Sequence, residues 1–269
     1  MPIHPTAQID RGAEIDPAAE IGPFCIIEPH VRIAAGVRLR ANVYVCRGTT
    51  VGANTVVHPN AVLGDAPQDV SYRDALSYTQ IGESCLIREN VTIHRGTEAE
   101  STTVIGDRCF LMTGSHVAHN CQLGDDVRVA SNAVFAGRVS VGRGTFIGGL
   151  AAVHQFCRIG EMVMLGGLSR VTMDIPPFMT FVGHGMIGPN TIGLRRAGLT
   201  SEERMEIRAA YRRLFRSGRP LRTALPEVIA AVKTAPGRRL IEFLQAPSKR
   251  GFHAASNRNS ADDSERDGE

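Results

Sequence analysis

Ile105-Gly-Asp-Arg-Cys-Phe-Leu111-Met-Thr-Gly-Ser-His-Val117-Ala-His-Asn-Cys-Gln-Leu123-Gly-Asp-Asp-Val-Arg-Val129 places a large aliphatic residue at every sixth position. Neither the 3.6-residue period of a helix nor the two-residue period of an ordinary strand produces that pattern. Backwards, the phase continues through Ile93, Ile87 and Ile81, and from Leu63 in unbroken steps to Ile3; forwards it reaches Val171. Of the 29 positions on this spacing from 3 to 171, only Asp69, Ala75 and Ala99 are not large and apolar. A fixed period of six is the signature of a parallel β-helix built from hexapeptides. Each hexapeptide supplies one short strand with one inward aliphatic, so three close a triangular coil of about 18 residues. Five of the six cysteines (Cys25, Cys85, Cys109, Cys121, Cys157) sit two places before an aliphatic position, in phase with Ala7, Ala13 and Ala19. They read as small core residues, whereas Cys46 is out of phase and unassigned.

Two segments interrupt the coil. Residues 64–80 are polar and aromatic, and contain two of the three off-pattern positions; residues 96–103 form a shorter interruption. Loops leaving a rigid scaffold commonly carry function. The repeat fades after Val171, so the coil is expected to occupy residues 1–178, followed by a linker and helical domain over 179–246. Thr200-Ser-Glu-Glu203 is a capping box opening a helix that Ser217-Gly218 and Pro220 stop. A second helix is expected over 224–234 and a third over 238–245. The Ser-, Asn-, Asp- and Arg-rich stretch 247–269 is expected to be disordered.

Composition sets outer limits. Hydrophobic residues make up 43% and charged residues 21% of the 269, as in ordinary globular proteins. There is no apolar run long enough for a membrane span and no leader pattern, so a cytoplasmic protein is expected. No C-x-x-C pair is present, which argues against a zinc knuckle or redox motif. A formal charge of +3 gives no reason to expect a nucleic-acid partner.

The period turns spacing into geometry. His119, Gly137 and Gln155 lie 18 residues apart and should stack along one prism edge at about 4.8 Å per coil. His116, Asn120, Arg138 and His154 flank that line. From spacing alone this stripe reads equally as a site or as polar residues on exposed turns. His116, His119 and His154 also admit a zinc-dependent hydratase with ligands shared between subunits.

The local words are more specific. Asn90-Val-Thr-Ile-His-Arg-Gly-Thr97, Ser115-His-Val-Ala-His-Asn-Cys121, Ala136-Gly137, Gly148-Gly149, Ala151-Ala-Val-His-Gln-Phe-Cys157, Asp174-Ile-Pro-Pro177 and Asn190-Thr-Ile-Gly-Leu-Arg-Arg196 together resemble the UDP-N-acetylglucosamine 3-O-acyltransferases of lipid A synthesis, over residues 1 to about 245. The resemblance implies a left-handed parallel β-helix with a small C-terminal helical domain, assembled as a homotrimer. It implies an acyl donor carried on the phosphopantetheine of acyl carrier protein, a UDP-sugar acceptor, and no cofactor or metal of the enzyme's own. His119 would be the general base and the Gly137 N–H the oxyanion donor. Gln68, Asp69, His116, His154 and Gln155 would hold substrate, and Asn190 and Arg196 the nucleotide phosphates. Gly167 would be the acyl-chain ruler.

Departures from the family pattern lie close to these residues. Asn120 stands where the family usually has Asp, Arg138 where it has His, Ser71 where it has Lys and Ala197 where it has Arg. They leave open an N-acyltransferase acting on a 3-amino UDP-sugar, or a weakly active or non-catalytic paralogue. Residues 191–222 carry nine arginines against three glutamates. Most of these arginines read as a solvated helix face; as a patch they would steer the acidic carrier protein.

Overall fold

The structure, a computed structural model, describes residues 3–255. Its strands form three sheets of nine, eight and ten strands, the strands of each sheet coming from every third hexapeptide. Most strands are two residues long: in Gln8–Ile9, Glu14–Ile15 and Glu20–Ile21 the first side chain points out and the second points in. Partners along a sheet are 18 residues apart, as in Gln8↔Ile26 and His116↔Val134↔Ala152. The inward aliphatics (Ile27, Ile87, Leu111, Val117, Phe135, Ile147) are at most 1% exposed, forming one continuous core. The five in-phase cysteines are buried in the slot that Val127, Ala133 and Val139 fill elsewhere. Cys46 is buried as well.

Corners repeat as regularly as strands. A residue with left-handed backbone recurs on the six-residue spacing, among them Arg108, Asn120, Asp126, Asn132 and Arg138 with φ of 54–62°. Gly114 and Gly144 fill the same slot with φ of 69° and 65°. Asn, Asp and Gly tolerate this region best, which is why the repeat is rich in them at its corners.

The interruptions preserve phase. Val51 pairs with Ile81 and Ile81 with Ile105, separations of 30 and 24 residues instead of 18. Extra chain therefore enters in multiples of the hexapeptide, and every later aliphatic still points inward. Residues 78–81 and 102–105 pair as four-residue strands, so the free loops are shorter than the expected 64–80 and 96–103.

The coil also reaches beyond residue 178. Met179–Val182 adds to the third sheet by pairing with Met164–Leu165, then turns into an antiparallel partner, Gly185–Pro189. Four helices follow: α1 (Thr191–Arg196), α2 (Ser201–Phe215), α3 (Leu221–Ala231) and α4 (Ala235–Gln245). The Thr200–Glu203 capping box is formed at the start of α2. Pro236, in the gap between the helices expected over 224–234 and 238–245, lies in the first turn of α4, where its missing N–H costs nothing. The helices bury Ile207, Leu214, Val228, Leu240 and Leu244 against one another. Arg158 joins them to the coil: its Nε donates to the fully buried Asp174 carboxylate at 2.7 Å, and its guanidinium lies 4.5 Å from the Phe243 ring of α4.

Part of the stretch expected to be disordered is docked. Residues Phe252 and Ala255 bridge to Asp174 and Met186, and His253 is buried against the end of the coil. The remaining residues of that stretch, 256–269, lie outside the described residues.

Candidate active site

The corner joining the first and second sheets carries His119, Gly137 and Gln155 on successive coils, as the register His116↔Val134↔Ala152 requires. Beside it, on the outer face of the first sheet, lies a cleft of about 630 Å³. Its walls include His116, His119, Gly137, His154 and Gln155, and the first inserted loop adds Gln68 and Asp69.

His119 is 6% exposed. Its Nδ1 lies 2.9 Å from Asn120 Oδ1. The same oxygen accepts the Thr97 backbone N–H at 3.1 Å. An amide oxygen can only accept, so Nδ1 carries the proton and the lone pair of the neutral ring is on Nε2. Nε2 is 3.6 Å from Asp69 Oδ2. Asp69 is held ionised, its carboxyl lowered chiefly by hydrogen bonds from the Ser71 hydroxyl and N–H, at 2.7 and 2.8 Å.

Gly137 lies against the His119 ring: an added Cβ would be 2.2 Å from both Cε1 and Nε2. The N–H groups on either side of Gly137 are used, Ala136 donating to Val153 O and Arg138 to His119 O. The Gly137 N–H has no acceptor among the described residues and borders the cleft. A base whose Nε2 borders the cleft, beside a backbone donor with no acceptor among the described residues, is an arrangement that serves proton abstraction with oxyanion stabilisation.

The neighbouring histidines are kept neutral. His116 Nδ1 is 2.7 Å from Thr92 Oγ1, and the His94 ring meets the His116 ring edge-on at 4.8 Å. Burial lowers His116, with His119 nearby adding to the effect, and pushes His94 down to about 4. Neither therefore brings a second positive charge to His119 at neutral pH. Among the described residues, no group of three or more His, Cys, Asp or Glu side chains is arranged to hold a metal ion.

Three expected site residues lie elsewhere in this chain. Asn190 caps α1, its Oδ1 accepting from Gly193 N and its Nδ2 donating to Met162 O. Arg196 is exposed at the end of that helix. Gly167 occupies the corner between the third and first sheets, where its Cβ would meet Gly149 O at 3.2 Å, so the width of the first sheet separates it from His119. Arg170 and Thr172, not singled out from the sequence, line the cleft. The period contained them, since each stands one coil beyond a lining residue, Ala152 and His154. His94 and Thr97 were legible only as words of the resemblance, because their roles depend on the second loop's path.

The class follows from these features and from what they match. Residues 102–137 fit the family described as bacterial transferase hexapeptide (six repeats), and residues 174–253 fit the second domain of UDP-N-acetylglucosamine O-acyltransferase. The acyl-[acyl-carrier-protein]–UDP-N-acetylglucosamine O-acyltransferase of Anaeromyxobacter sp. (strain Fw109-5) is 46% identical over 233 residues, 86% of this chain and 91% of the relative. The enzyme of the same name from Alkalilimnicola ehrlichii is 44% identical over 202 residues, 74% and 75% of the two chains. The UDP-N-acetylglucosamine acyltransferase structure from Bacteroides fragilis superposes with a TM-score of 0.90 at 36% identity, covering 93% of this chain and 99% of that one. The LpxA structure from Acinetobacter baumannii gives the same TM-score and coverage at 35% identity. The chain is a left-handed β-helical hexapeptide acyltransferase. It belongs to the UDP-N-acetylglucosamine O-acyltransferase family.

Proposed function

We propose that this protein transfers an acyl group from acyl carrier protein to the 3-hydroxyl of UDP-N-acetylglucosamine, the first step of lipid A biosynthesis. The observation that carries the reading is the pairing of His119 Nδ1 with Asn120 Oδ1, which leaves Nε2 for the cleft, beside a Gly137 N–H that has no acceptor among the described residues. Nε2 takes the proton of the sugar hydroxyl as its oxygen attacks the thioester carbonyl. Charge developing on the carbonyl oxygen is received by the Gly137 N–H, and collapse breaks the C–S bond, the phosphopantetheine sulfur taking the proton back from Nε2 and leaving as the thiol. Asn120 is neutral and cannot offset the imidazolium that forms. Asp69, 3.6 Å from Nε2, supplies a counter-charge and is close enough to accept from the acceptor sugar. No cofactor of the enzyme's own enters these steps.

The same reading makes the working unit a homotrimer. Gly167, Asn190 and Arg196 lie off the His119 cleft within one chain, and a neighbouring coil packed on that face supplies them. The acyl carrier protein docks at the arginine-rich α2 region. Among the described residues no helix is long and apolar enough to cross a membrane, which suits a cytoplasmic enzyme using soluble substrates.

Purified protein incubated with 3-hydroxyacyl carrier protein and UDP-N-acetylglucosamine is expected to form the O-acyl product, identified by mass spectrometry. Turnover confined to the 3-amino analogue would replace the hydroxyl acceptor with an amine. No turnover with either acceptor would reject the activity.

A further inference from the structure

We infer that the second inserted loop sets the tautomer of His119, with Thr97, Glu98 and Arg138 acting as positioning residues. The inference deepens the reading of His119 as the base and rests on it. The reason lies in Asn120. A carboxylate at this position would accept a proton from Nδ1 whichever oxygen faced the ring. An amide is asymmetric: turned over, it would present NH₂ to Nδ1, place the lone pair there, and leave Nε2 protonated and unable to act as a base. Something outside the histidine must therefore hold the amide in one orientation.

The loop does so. The Thr97 backbone N–H donates to Asn120 Oδ1 at 3.1 Å, and a backbone N–H has no acceptor alternative, so it selects the oxygen. The Thr97 hydroxyl lies 2.9 Å from the same oxygen and 2.8 Å from Glu98 Oε2. With one proton, it serves one of them at a time. Glu98 is fastened in turn by Arg138, whose Nη2 donates to Glu98 Oε1 and also lies 3.5 Å from Thr97 Oγ1. The Arg138 guanidinium sits over the Phe156 ring at 5.9 Å. Arg138 and Phe156 occupy successive left-handed corners above Asn120, so the arginine that anchors the loop is mounted on the same edge as the base. The chain from Glu98 through Arg138 and Thr97 to Asn120 thus reaches His119 without contacting the cleft's reacting atoms. This accounts jointly for two departures from the family pattern: an amide at position 120, and at position 138 a side chain long enough to reach Glu98.

The test reads the tautomer directly, by ¹⁵N magic-angle-spinning NMR of histidine-labelled protein without substrate, at a pH where the ring is neutral. Native protein is expected to show Nδ1 protonated and Nε2 bare. In Arg138→Ala and in Thr97→Pro, which lacks the N–H, the Nε2-protonated form should rise. Loss of one neutral hydrogen bond shifts such a ratio by roughly 5-fold, and kcat should fall in proportion to the fraction of rings that lose the bare Nε2, with little change in KM. Adding Asn120→Asp to Arg138→Ala should restore both the tautomer and kcat, because a carboxylate needs no orienting. Nε2 protonated in the native protein would overturn the inference. So would an unaltered tautomer in a folded Arg138→Ala variant, or failure of Asn120→Asp to restore it. The tautomer is read without turnover, so absence of acyl transfer by native protein would reject the proposed activity and leave this result standing.

Discussion

An added Cβ at Gly137 would lie 2.2 Å from His119 Cε1 and Nε2, closer than real Cβ contacts come. His119 itself is 6% exposed and tied at Nδ1, so it has little room to yield. Gly137→Ala is therefore expected to swing the imidazole away from the cleft while the coil, whose corner φ at Gly137 is not left-handed, stays folded. The measurable outcome is a fall in kcat approaching that of losing the base, ~10²–10⁴-fold, with an unaltered circular dichroism spectrum. Near-native turnover would show that His119 does not need its position. This residue pair was legible in the sequence as a spacing of 18, because stacking in a hexapeptide coil is arithmetic. Closeness of the ring to the Gly137 backbone was not, since it depends on a rotamer fixed by Asn120 and the second loop.

Among the elements, the docked C-terminal segment carries a pH dependence. His253 Nε2 accepts two backbone N–H groups, from Thr172 and Met173, both at 3.2 Å. Only the unprotonated ring can do this. Burial lowers His253 below its ordinary 6.5, with Asp174 opposing and His184 reinforcing the shift. A docked value below the released one means that the released segment binds more protons. Docking is therefore complete above about pH 6.5 and weakens as pH falls below it. Protection from hydrogen exchange at residues 172–174 and 251–255, corrected for the intrinsic rate at each pH, should fall between pH 7.5 and pH 5 in native protein. In His253→Gln, whose amide oxygen still accepts, that loss of protection should be reduced; an equal loss would exclude the histidine as its cause.

The same segment marks where sequence reading stops. Aliphatic period and corner chemistry disclosed the coil because every hexapeptide repeats one local solution. The segment around His253 is polar and breaks no rule of disorder; only the neighbouring end of the coil, offering Thr172 and Met173 N–H groups and the Phe181 ring 4.6 Å away, gives it a place. The short helix α1 and the Met179–Pro189 hairpin were missed for a related reason: each is shorter than a periodic signal and is held by the coil it packs on.

For the whole molecule, the proposed three-chain assembly is what would bring Gly167, Asn190 and Arg196, which lie off the His119 cleft within one chain, to a neighbour's site. Sedimentation velocity at enzyme-assay concentrations should give the mass of three 29.0 kDa chains. Full activity in a species sedimenting as a monomer would contradict it. The three-sheet coil, its phase-preserving insertions and its corner stack serve one end at this scale: they hold His119, Gly137 and the loop-borne Asp69 in fixed relation at one edge of a stiff prism. The most direct test of that account is kcat for acyl transfer to UDP-N-acetylglucosamine by native protein and His119→Ala, compared at equal folded concentration. The account predicts a loss of ~10²–10⁴-fold for the variant, and a kcat unchanged by His119→Ala would contradict it.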